Sequence, residues 1–513
     1  MTHFLLRRFL ADYGRNGANL LFLVVVPVTF VLAAAPALSN AAKLLGGAGG
    51  GPAIETVTAG WAAAFLSAIA MYFQVSGARR ADRRLVTAGM PPRQLRAARL
   101  LTGVVLAGLA SAAGLGALFA RGDLENVWRV AVGTLLFALV YIGLGAAVGA
   151  FVPNAVNGTV LLMFIWILDV FFGPTLSGTE SPIVRFLPTH FVSLWTVDLP
   201  AGHAGLSELA WSAIWVVGAL LLAFVVVAHG GTGRSASQAW GHGWVAQLLV
   251  GLRMGWRDWI RTPVLWVLLA AVPAVFILLS DAVTPHGQTP VVLREDGVSR
   301  VNLVDPALMH AGTMAPIAVA SLASLVGVFM VLDSRAADRR LVLAGERRAA
   351  LVASRLVLVF VATGVATAVS LAVTATVFRP RQWGVYIAGV VLVAVTYAAI
   401  GTLLAPLFGR VSSVFLAFLI PFLDLGIWQS PMLRGEPEDW AQWLPGYGGI
   451  RLVIDGALTP SFDEANSAAA ALTWLAVLLV AAGGVIAPRS RLAVGHVPTD
   501  STDKPSPRAS APV

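Results

Sequence analysis

The sequence lacks cysteine and is poor in charge. None of its 513 residues is cysteine, which excludes disulfide bonds, thiolate metal sites and cysteine nucleophiles together. Charged residues make up 12% of the chain, whereas about 25% is usual in soluble domains. Hydrophobic residues make up 58%, and the mean hydropathy is +0.80. This composition predicts an integral membrane protein.

The sequence also lacks the motifs that mark common catalytic sites. The run 46–51 is rich in glycine, but the Lys-Ser/Thr pair of a phosphate-binding loop does not follow it. Neither H-E-x-x-H nor G-x-S-x-G is present, and the histidines are scattered. We therefore expect no enzymatic activity, no metal site and no cofactor bound by this chain. Four histidines in or near predicted outer loops are expected to be surface residues: His190, His203, His286 and His310.

The chain is strongly basic, with a net charge of +9 and a sequence pI of about 10.7. In a soluble protein this balance would suggest a nucleic-acid partner. Here the arginines lie between apolar runs, as the positive-inside rule describes for the cytoplasmic side of a membrane. No soluble segment combines a basic patch with interleaved aromatic residues. We therefore reject nucleic acid as a partner and expect the lipid bilayer to be one.

An arginine-rich stretch occurs twice and reveals the organisation of the chain. Its core, AlaAspArgArgLeuVal-x-AlaGly, occupies 81–89 and 337–345, a shift of 256 residues (82 to 338). An internal repeat of this kind indicates two versions of one structural unit. Both copies lie between long apolar runs, so we place both on the cytoplasmic side.

The apolar runs predict an all-α polytopic membrane protein with two homologous six-helix halves. A spanning helix needs ~20 apolar residues, and the expected spans are 20–38, 56–77, 100–120, 128–151, 156–173 and 209–229, then 263–280, 307–332, 356–378, 384–408, 411–428 and 467–487. An even number of crossings in each half places both termini and the central linker in the cytoplasm. The expected units are a first half (1–230), a flexible linker (231–247), a second half (248–490) and a disordered tail (491–513).

Each half begins with a segment that predicts an amphipathic helix lying in the membrane interface. Residues 3–16 and 248–261 place apolar side chains on one face and charged ones on another. The two segments align with a shift of 246 residues (12 to 258). Their charged positions are Arg8, Asp12, Arg15, Arg257, Asp258 and Arg261. Since the shift then grows to 256, the second half has an insertion in its first outer loop.

The repeated arginine stretch predicts a helix, a break and a second helix. A short helix over 81–88 would end at Gly89, because glycine readily adopts the left-handed C-cap conformation, and Pro91 and Pro92 would start the next helix. One interpretation is an ordinary solvated loop with surface pairs Asp82–Arg79 and Asp338–Arg335. We favour a specific docking element, because an ordinary loop does not require the same AlaAspArgArgLeuVal-x-AlaGly pattern twice.

Two further features repeat near the outer side. A LeuPro segment precedes the last span of each half, at 186–198 and 443–455, with Pro188 matching Pro445. The acids Asp169 and Asp424 lie near the outer end of the fifth span of each half. Ionisable groups in a membrane are costly and suggest a function. These four positions are either structural anchors or a possible outer gate, and the sequence leaves both open.

With these repeated features the chain resembles the ABC-2 type permeases, the membrane subunits of ATP-binding-cassette exporters. It is most similar to their fused double-length actinobacterial type, which is tied to antibiotic or drug export. The resemblance implies that the interfacial helices and hairpins contact two copies of a separate ABC ATPase, which bind ATP and Mg. It implies export of a hydrophobic or amphipathic substrate (antibiotic, drug or lipid-like) across the bacterial cytoplasmic membrane. The ATPase-coupling residues would be Asp82, Arg83, Arg84, Gly89, Asp338, Arg339, Arg340 and Gly345.

The main alternative is a proton-coupled secondary transporter of the major facilitator type. That fold also has six plus six spans in parallel repeats, and the segment from Gly77 to Arg84 loosely resembles its basic loop. The interfacial helix in both halves, the long LeuPro segments and the missing second glycine after the Asp-Arg pair argue against it. A non-transporting membrane scaffold is a third possibility that no residue pattern supports.

Overall fold

The computed structural model describes residues 2–44, 52–122, 124, 126–152, 154–177, 182, 184–197, 204–226, 244–260, 263–284, 286–295, 298–343, 347–431, 433 and 437–486. Almost all of them are helical, and the helices are α1 (Thr2–Gly14), α2 (Gly17–Leu44), α3 (Pro52–Thr87), α4 (Pro92–Arg121), α5 (Val127–Phe151), α6 (Ala155–Phe171), α7 (Pro174–Ser177), α8 (His190–Thr196), α9 (Leu206–Val226), α10 (Trp244–Ile260), α11 (Pro263–Val283), α12 (Pro306–Leu343), α13 (Arg348–Val377), α14 (Trp383–Pro421), α15 (Tyr447–Leu458) and α16 (Ala465–Ile486). Shorter elements are 3-10 turns at Val184–Phe186 and Asp439–Trp443, a π-helical segment at Phe422–Trp428, and strands β1 (Thr289–Glu295) and β2 (Val298–Val304).

In the part of the chain that the structure describes, eleven helices are long and apolar enough to cross a membrane, and one of them is long enough for two crossings. The segment Trp383–Trp428 has 46 residues, and its helix is interrupted at Gly409, where φ is 77°. Tyr397 Oη donates a hydrogen bond to Asp424, although 27 residues separate the two in sequence. In a straight helix they would be about 40 Å apart, so the chain reverses at Gly409. The predicted all-α architecture with six crossings in each half is therefore confirmed.

The second and fourth spans of each half form the buried centre of that half. The share of buried residues is 89% in the second span of the first half and 94% in that of the second half, above every other span. A Cβ atom at Gly145 would lie 2.2 Å from the carbonyl oxygen of Ala68, and one at Gly401 would lie 2.0 Å from that of Ser324. These contacts occupy matching positions of the repeat. Small residues therefore let α3 approach α5, and α12 approach α14, at backbone distance.

The ends of the bundle differ in character. The α3–α4 break, the end of α12, the start of α13, and the reversals after α5 and at Gly409 lie at one end, which we call the hairpin end. At that end Tyr72 Oη donates to the Asn154 carbonyl at 2.8 Å, and Arg79 donates to the Gly149 carbonyl. The LeuPro segments, now seen as 3-10 turns followed by α8 and α15, lie at the opposite end.

One expectation about local structure needs correction, and one loop has a structure that the sequence analysis did not predict. No separate short helix covers 81–88, because α3 runs unbroken to Thr87 and α12 to Leu343. Alanine, leucine and arginine favour helix in these stretches, and the isolated Gly77 does not end α3. The inserted outer loop of the second half forms an antiparallel hairpin in which Thr289 pairs with Val304. The intervening Asp296-Gly297 dipeptide is a typical two-residue hairpin signal in the sequence.

The base of this β-hairpin carries an ion pair. His286 Nδ1 lies 2.8 Å from Asp305 Oδ2. The hydrogen bond that His286 donates to the Asp305 carboxylate raises the pKa of His286, and the same bond lowers the pKa of Asp305. His286 is exposed, as the sequence suggested. The pair therefore ties the base of the hairpin to the start of α12 at the water-exposed surface.

Helices at the periphery expose apolar side chains. Only 17% of the α9 span and 22% of the α16 span is buried within the protein. Their exposed valines and leucines suit contact with lipid tails. The predicted linker and tail fall almost entirely outside the described residues, and α10 begins at Trp244, inside the range predicted for the linker. The domain boundaries stay predictions.

The two halves meet along α2, α6, α11, α12 and the second arm of α14. Near the hairpin end Ser412 Oγ donates to Asn19 Oδ1 at 3.1 Å, and the rings of Phe22 and Phe408 lie 5.1 Å apart, edge to face. Toward the opposite end the inter-half contact is aromatic and aliphatic. A single interface therefore runs between the halves from one end of the bundle to the other.

Candidate functional site

The first hairpin is held by a helix-ending hydrogen-bond pattern. Met90 N donates to the Leu85 carbonyl and Gly89 N donates to the Val86 carbonyl, each at 3.0 Å. This pair of bonds is the Schellman motif, which needs a residue with positive φ at Gly89, and φ there is 93°. The next helix starts at Pro92. The predicted glycine break and proline start are both present.

The repeated aspartate bridges the two arms of the hairpin. Arg99 Nη2 donates to Asp82 Oδ1 at 2.8 Å, and Arg99 Nε donates to Asp82 Oδ2 at 3.2 Å. In the second half Arg355 Nη2 and Nε both donate to Asp338 Oδ1, at 2.7 and 3.3 Å. The four side chains are only 9–16% exposed. Such bidentate pairs combine charge with fixed geometry.

This pairing differs from the surface pairs considered from the sequence. Each aspartate bonds to an arginine of the following helix, Arg99 or Arg355, a partner that the sequence analysis did not consider. The sequence contained the signal, because Arg99 and Arg355 occupy matching positions of the two copies. We did not single them out, since a contact between residues 17 positions apart depends on the chain reversal.

The remaining predicted coupling residues fall into two groups. Arg83, Arg84 and Arg340 are exposed at the hairpin end. The side chain of Arg339 and all of Gly345 lie outside the described part of the chain. The carboxylates of Asp82 and Asp338 thus hold the hairpin together, while neighbouring guanidinium groups face outward. Their contact with a partner stays a prediction.

The interfacial helix of the first half packs directly on the hairpin. Leu5 and Phe9 are buried against Leu95 and Ala98. The guanidinium carbon of Arg99 lies 3.7 Å from the centroid of the Phe9 ring, a cation–π contact. Arg99 therefore joins the interfacial helix, the hairpin acid and the third span. The polar face predicted for α1 is exposed at Arg8, Asp12 and Arg15.

The interfacial helix of the second half lacks this contact. Gly255 occupies the position that matches Phe9, so no ring lies against Arg355 from that position. A cavity of about 220 Å³ is found there instead, with Trp259, Asp333 and Arg355 in its lining. Arg257 is exposed, whereas the side chain of Asp258 and all of Arg261 lie outside the described residues.

Asp169 anchors the LeuPro segment of the first half. Its carboxylate accepts hydrogen bonds from Tyr141 Oη at 2.9 Å, from Thr189 Oγ1 at 2.6 Å and from Thr189 N at 3.1 Å. Thr189 directly follows Pro188, so the carboxylate joins the fourth span, the fifth span and the outer segment. Asp169 is 3% exposed, which shows that the acid lies inside the protein and not at its surface.

Asp424 repeats this arrangement in the second half. It accepts from Tyr397 Oη, from Gly446 N at 2.9 Å and from Gln429 Nε2 at 3.4 Å. Gly446 directly follows Pro445, matching Thr189 after Pro188. The two carboxylates therefore have the geometry of structural anchors. A gating role for Asp169, Asp424, Pro188 and Pro445 stays a prediction.

A cavity of about 80 Å³ lies between the halves, toward the end opposite the hairpins. The first half contributes only apolar side chains to its lining, namely Leu38, Met163, Ile167 and Phe171. The second half contributes aromatic and aliphatic side chains together with the polar residues His310, Ser321 and Ser430. One wall is therefore purely apolar and the other is mixed.

The surface position expected for His310 is wrong. His310 is 7% exposed, and its ring nitrogens contact Thr284 Oγ1 at 2.6 Å and Ser280 Oγ at 3.3 Å. His190 is buried as well, at 4% exposed, and His203 lies outside the described residues. Sequence reasoning missed this cluster because its members come from two helices, α11 and α12.

Aromatic rings close the space on the hairpin-end side of the cavity. Phe418 lies 5.2 Å from both Phe65 and Trp166, centroid to centroid. Phe422 stacks on Phe30 at 5.6 Å. Phe30, Phe65 and Trp166 belong to the first half and Phe418 and Phe422 to the second. The rings therefore fill the inter-half interface near the middle of the bundle.

Comparison with known proteins supports the resemblance seen in the sequence. Residues 56–229 match a family model described as an ABC-2 family transporter protein. No curated protein matches the chain. The matched range contains the first hairpin, Asp169 and the first LeuPro segment, and the internal repeat extends the same architecture to the second half. This match favours the transporter family over the major facilitator alternative.

Proposed function

We propose that this chain, whose residues 56–229 match an ABC-2 family transporter model, is an ABC-2 type permease and forms the membrane part of an ATP-driven exporter. It moves a hydrophobic or amphipathic small molecule, such as an antibiotic, drug or lipid-like compound, outward across the bacterial cytoplasmic membrane. ATP and Mg²⁺ are bound and ATP is hydrolysed by two copies of a separate ABC ATPase. The permease itself contributes the pathway and the coupling elements.

The observation that carries this proposal is the repeated hairpin with its Asp–Arg pair. Each hairpin is braced by a pair that is mostly shielded from water, and each presents arginines outward at the same end of the bundle. Acidic groups or helix C-termini on a partner would attract these guanidinium groups. Two equivalent elements suit two identical partner subunits.

The helices leading out of the hairpins provide a route for coupling. α3 has 36 residues, a length of about 54 Å, and it runs unbroken from the hairpin through the buried centre of its half. α12 has 38 residues and does the same in the other half. A rigid displacement of a hairpin therefore tilts a central helix and shifts the inter-half interface that it supports.

Orientation follows from charge. The arginines of both hairpins lie at one end, and the positive-inside rule assigns that end to the cytoplasm. Under this assignment both interfacial helices are cytoplasmic and the LeuPro segments are outside. The inter-half cavity then lies in the outer part of the membrane, on the exit side of the aromatic rings. An apolar cavity in this place suits a lipophilic cargo that leaves toward the outer side.

The test uses inside-out membrane vesicles from cells that contain the native ATPase, with and without this chain. Vesicles with the chain should accumulate a fluorescent lipophilic dye when ATP and Mg²⁺ are added, and vesicles without it should not. Purified chain alone should hydrolyse no ATP above background. Dye uptake that follows an imposed proton gradient and ignores ATP would support the major facilitator alternative and refute the proposal.

A further inference from the structure

We propose that the inter-half cavity binds a lipophilic molecule carrying a hydrogen-bond donor, a hydroxyl or an amine N–H, and that His310 Nε2 accepts that hydrogen bond. The inference rests on the proposed function, since it names the chemistry of the cargo that the permease moves. The apolar remainder of the molecule lies against the first half. The histidine is thus the point at which the second half recognises the cargo.

The hydrogen bonds around His310 determine which ring nitrogen carries the proton. Thr284 Oγ1 lies 2.7 Å from the Ser280 carbonyl oxygen and donates its single proton there. It can therefore only accept at its 2.6 Å contact with His310 Nδ1. A neutral imidazole has one donor and one acceptor nitrogen. Nδ1 must carry the proton, and Nε2 must be the acceptor.

The acceptor nitrogen is weakly satisfied. The contact that the structure gives for Nε2 is Ser280 Oγ at 3.3 Å, longer than the ~2.7–2.8 Å usual for hydroxyl donors. His310 lines the cavity, and a ligand hydroxyl or amine could approach Nε2 more closely than Ser280 does. The site therefore offers an acceptor at Nε2, which a molecule without a donor cannot use.

The first half shows that the fold itself does not need these polar groups. The positions matching His310, Ser280 and Thr284 are Ile54, Ala34 and Leu38, and all three are buried. The same helix packing is thus achieved with aliphatic side chains. Burying polar groups costs free energy that aliphatic groups do not incur. The polar cluster of the second half is best explained by a ligand.

A second position shows the same asymmetry. Ser321 lines the cavity, and its match in the first half is Phe65, which packs into the aromatic rings between the halves. A small hydroxyl side chain therefore leaves open space where the first half has a ring. The cavity of about 80 Å³ is smaller than the ~300–1,000 Å³ that encloses a drug-sized ligand. In this form it accommodates the donor-bearing end of a molecule.

The probes are a matched pair, radiolabelled 2-naphthol and its methyl ether. They have the same ring system, but only 2-naphthol carries a proton on its oxygen that can be donated. Saturable binding to the purified full chain in phosphatidylcholine nanodiscs should favour 2-naphthol by about tenfold, the effect of one buried hydrogen bond. His310→Leu should remove the preference while binding of the ether is retained. Ile54→Leu, at the matching position of the first half, should leave the preference unchanged.

A second variant keeps the proposal testable if His310→Leu does not fold. Thr284→Val keeps the side-chain shape but removes the acceptor for Nδ1–H, so the imidazole no longer has a fixed tautomer and the preference should fall. Equal binding of the two probes by the unaltered chain, no saturable binding of either, or a preference that survives both substitutions would overturn the proposal.

Phosphatidylglycerol nanodiscs show whether the natural ligand is a hydroxylated lipid or other cargo. Loss of 2-naphthol binding there assigns the site to a hydroxylated lipid, and unchanged binding assigns it to other cargo.

The vesicle assay separates this proposal from the proposed function. If ATP-driven dye uptake is present but the probe preference is absent, the exporter function stands and the recognition by His310 is refuted. If the preference is present and ATP-driven uptake is absent, the site stands and the exporter function is refuted.

Discussion

The two halves share one framework and differ in what fills it. The glycine contacts between second and fourth spans, the Asp–Arg pairs and the Tyr–Asp anchors occupy matching positions in both. Among the described residues, the Phe9 contact, the β-hairpin and the His310 cluster occur in one half each. Features present twice therefore maintain the shared fold. Features present once are where the halves specialise.

The largest expected effect concerns the shared glycine contacts. Gly145→Ala and Gly401→Ala place a methyl group against a backbone carbonyl, which cannot move without separating two central helices. Each should destabilise the fold by about 3 kcal/mol or more, above the usual range for overpacking. Gly108→Ala and Gly364→Ala are matched controls, because a Cβ there meets nothing within 4 Å.

The measurement is the yield of monodisperse chain after detergent extraction and its thermal midpoint. Both control variants should behave like the unaltered protein or slightly better, since alanine favours helix. If only one of Gly145→Ala and Gly401→Ala is harmful, the central helix pairs are not equivalent in the two halves.

Next in size is the effect of breaking the hairpin ion pairs. Asp82→Asn and Asp338→Asn each leave an arginine largely shielded from water without its counter-charge, and removing one partner of a buried pair costs about 3 kcal/mol. Thermal midpoints should fall in both variants. The exchanged pair Asp82→Arg with Arg99→Asp should recover part of the loss. No recovery would mean that the position of Arg99 over Phe9 matters more than the charge pairing.

Charge reversal on the arginines that follow the repeated aspartates should act mainly on transport. Arg83→Glu with Arg84→Glu, and Arg339→Glu with Arg340→Glu, should each lower ATP-driven dye uptake by about tenfold, because like charges across an interface repel. Thermal midpoints should fall less than in Asp82→Asn and Asp338→Asn. Arg185→Glu, at an exposed position of the opposite end, is the control. Because the two hairpins differ in their surroundings, the two double variants should be unequal, and normal uptake in both would reduce the hairpins to positive-inside loops.

The smallest effect tests a feature of one half only. Phe9→Leu keeps apolar volume against the hairpin but removes the ring below Arg99, a loss of about 1 kcal/mol. Phe4→Leu, at a largely exposed position on the same helix, should change nothing. Limited proteolysis of α1 should become faster in Phe9→Leu alone. Equal proteolysis of both variants would show that the cation–π contact does not hold the interfacial helix.

Local patterns predicted much of this structure because they depend on nearby residues. Apolar length indicated the spans, and the glycine followed by two prolines indicated the hairpin break at Gly89. The repeat indicated which positions are equivalent. Asp82 was recognised as special for the same reason, although its partner was not.

What the sequence did not predict depends on contacts between distant segments. The pairing of Asp82 with Arg99 needs the chain reversal, and the burial of His310 needs α11 packed beside α12. The depth of Asp169 became clear only when Tyr141 and Thr189 were seen to enclose it. In each case the signal in the sequence was the residue at the matching position of the other half. That residue is also an aspartate for Asp82 and Asp169, and it is aliphatic for His310.

We expect one chain to supply two docking hairpins for two ATPase subunits. Native mass spectrometry of the complex extracted from its own cells tests this directly. We expect one chain of 53.7 kDa with two copies of one ATPase, so that each hairpin holds one subunit. Two permease chains in a particle, or a single ATPase subunit that occupies both hairpins, would contradict it.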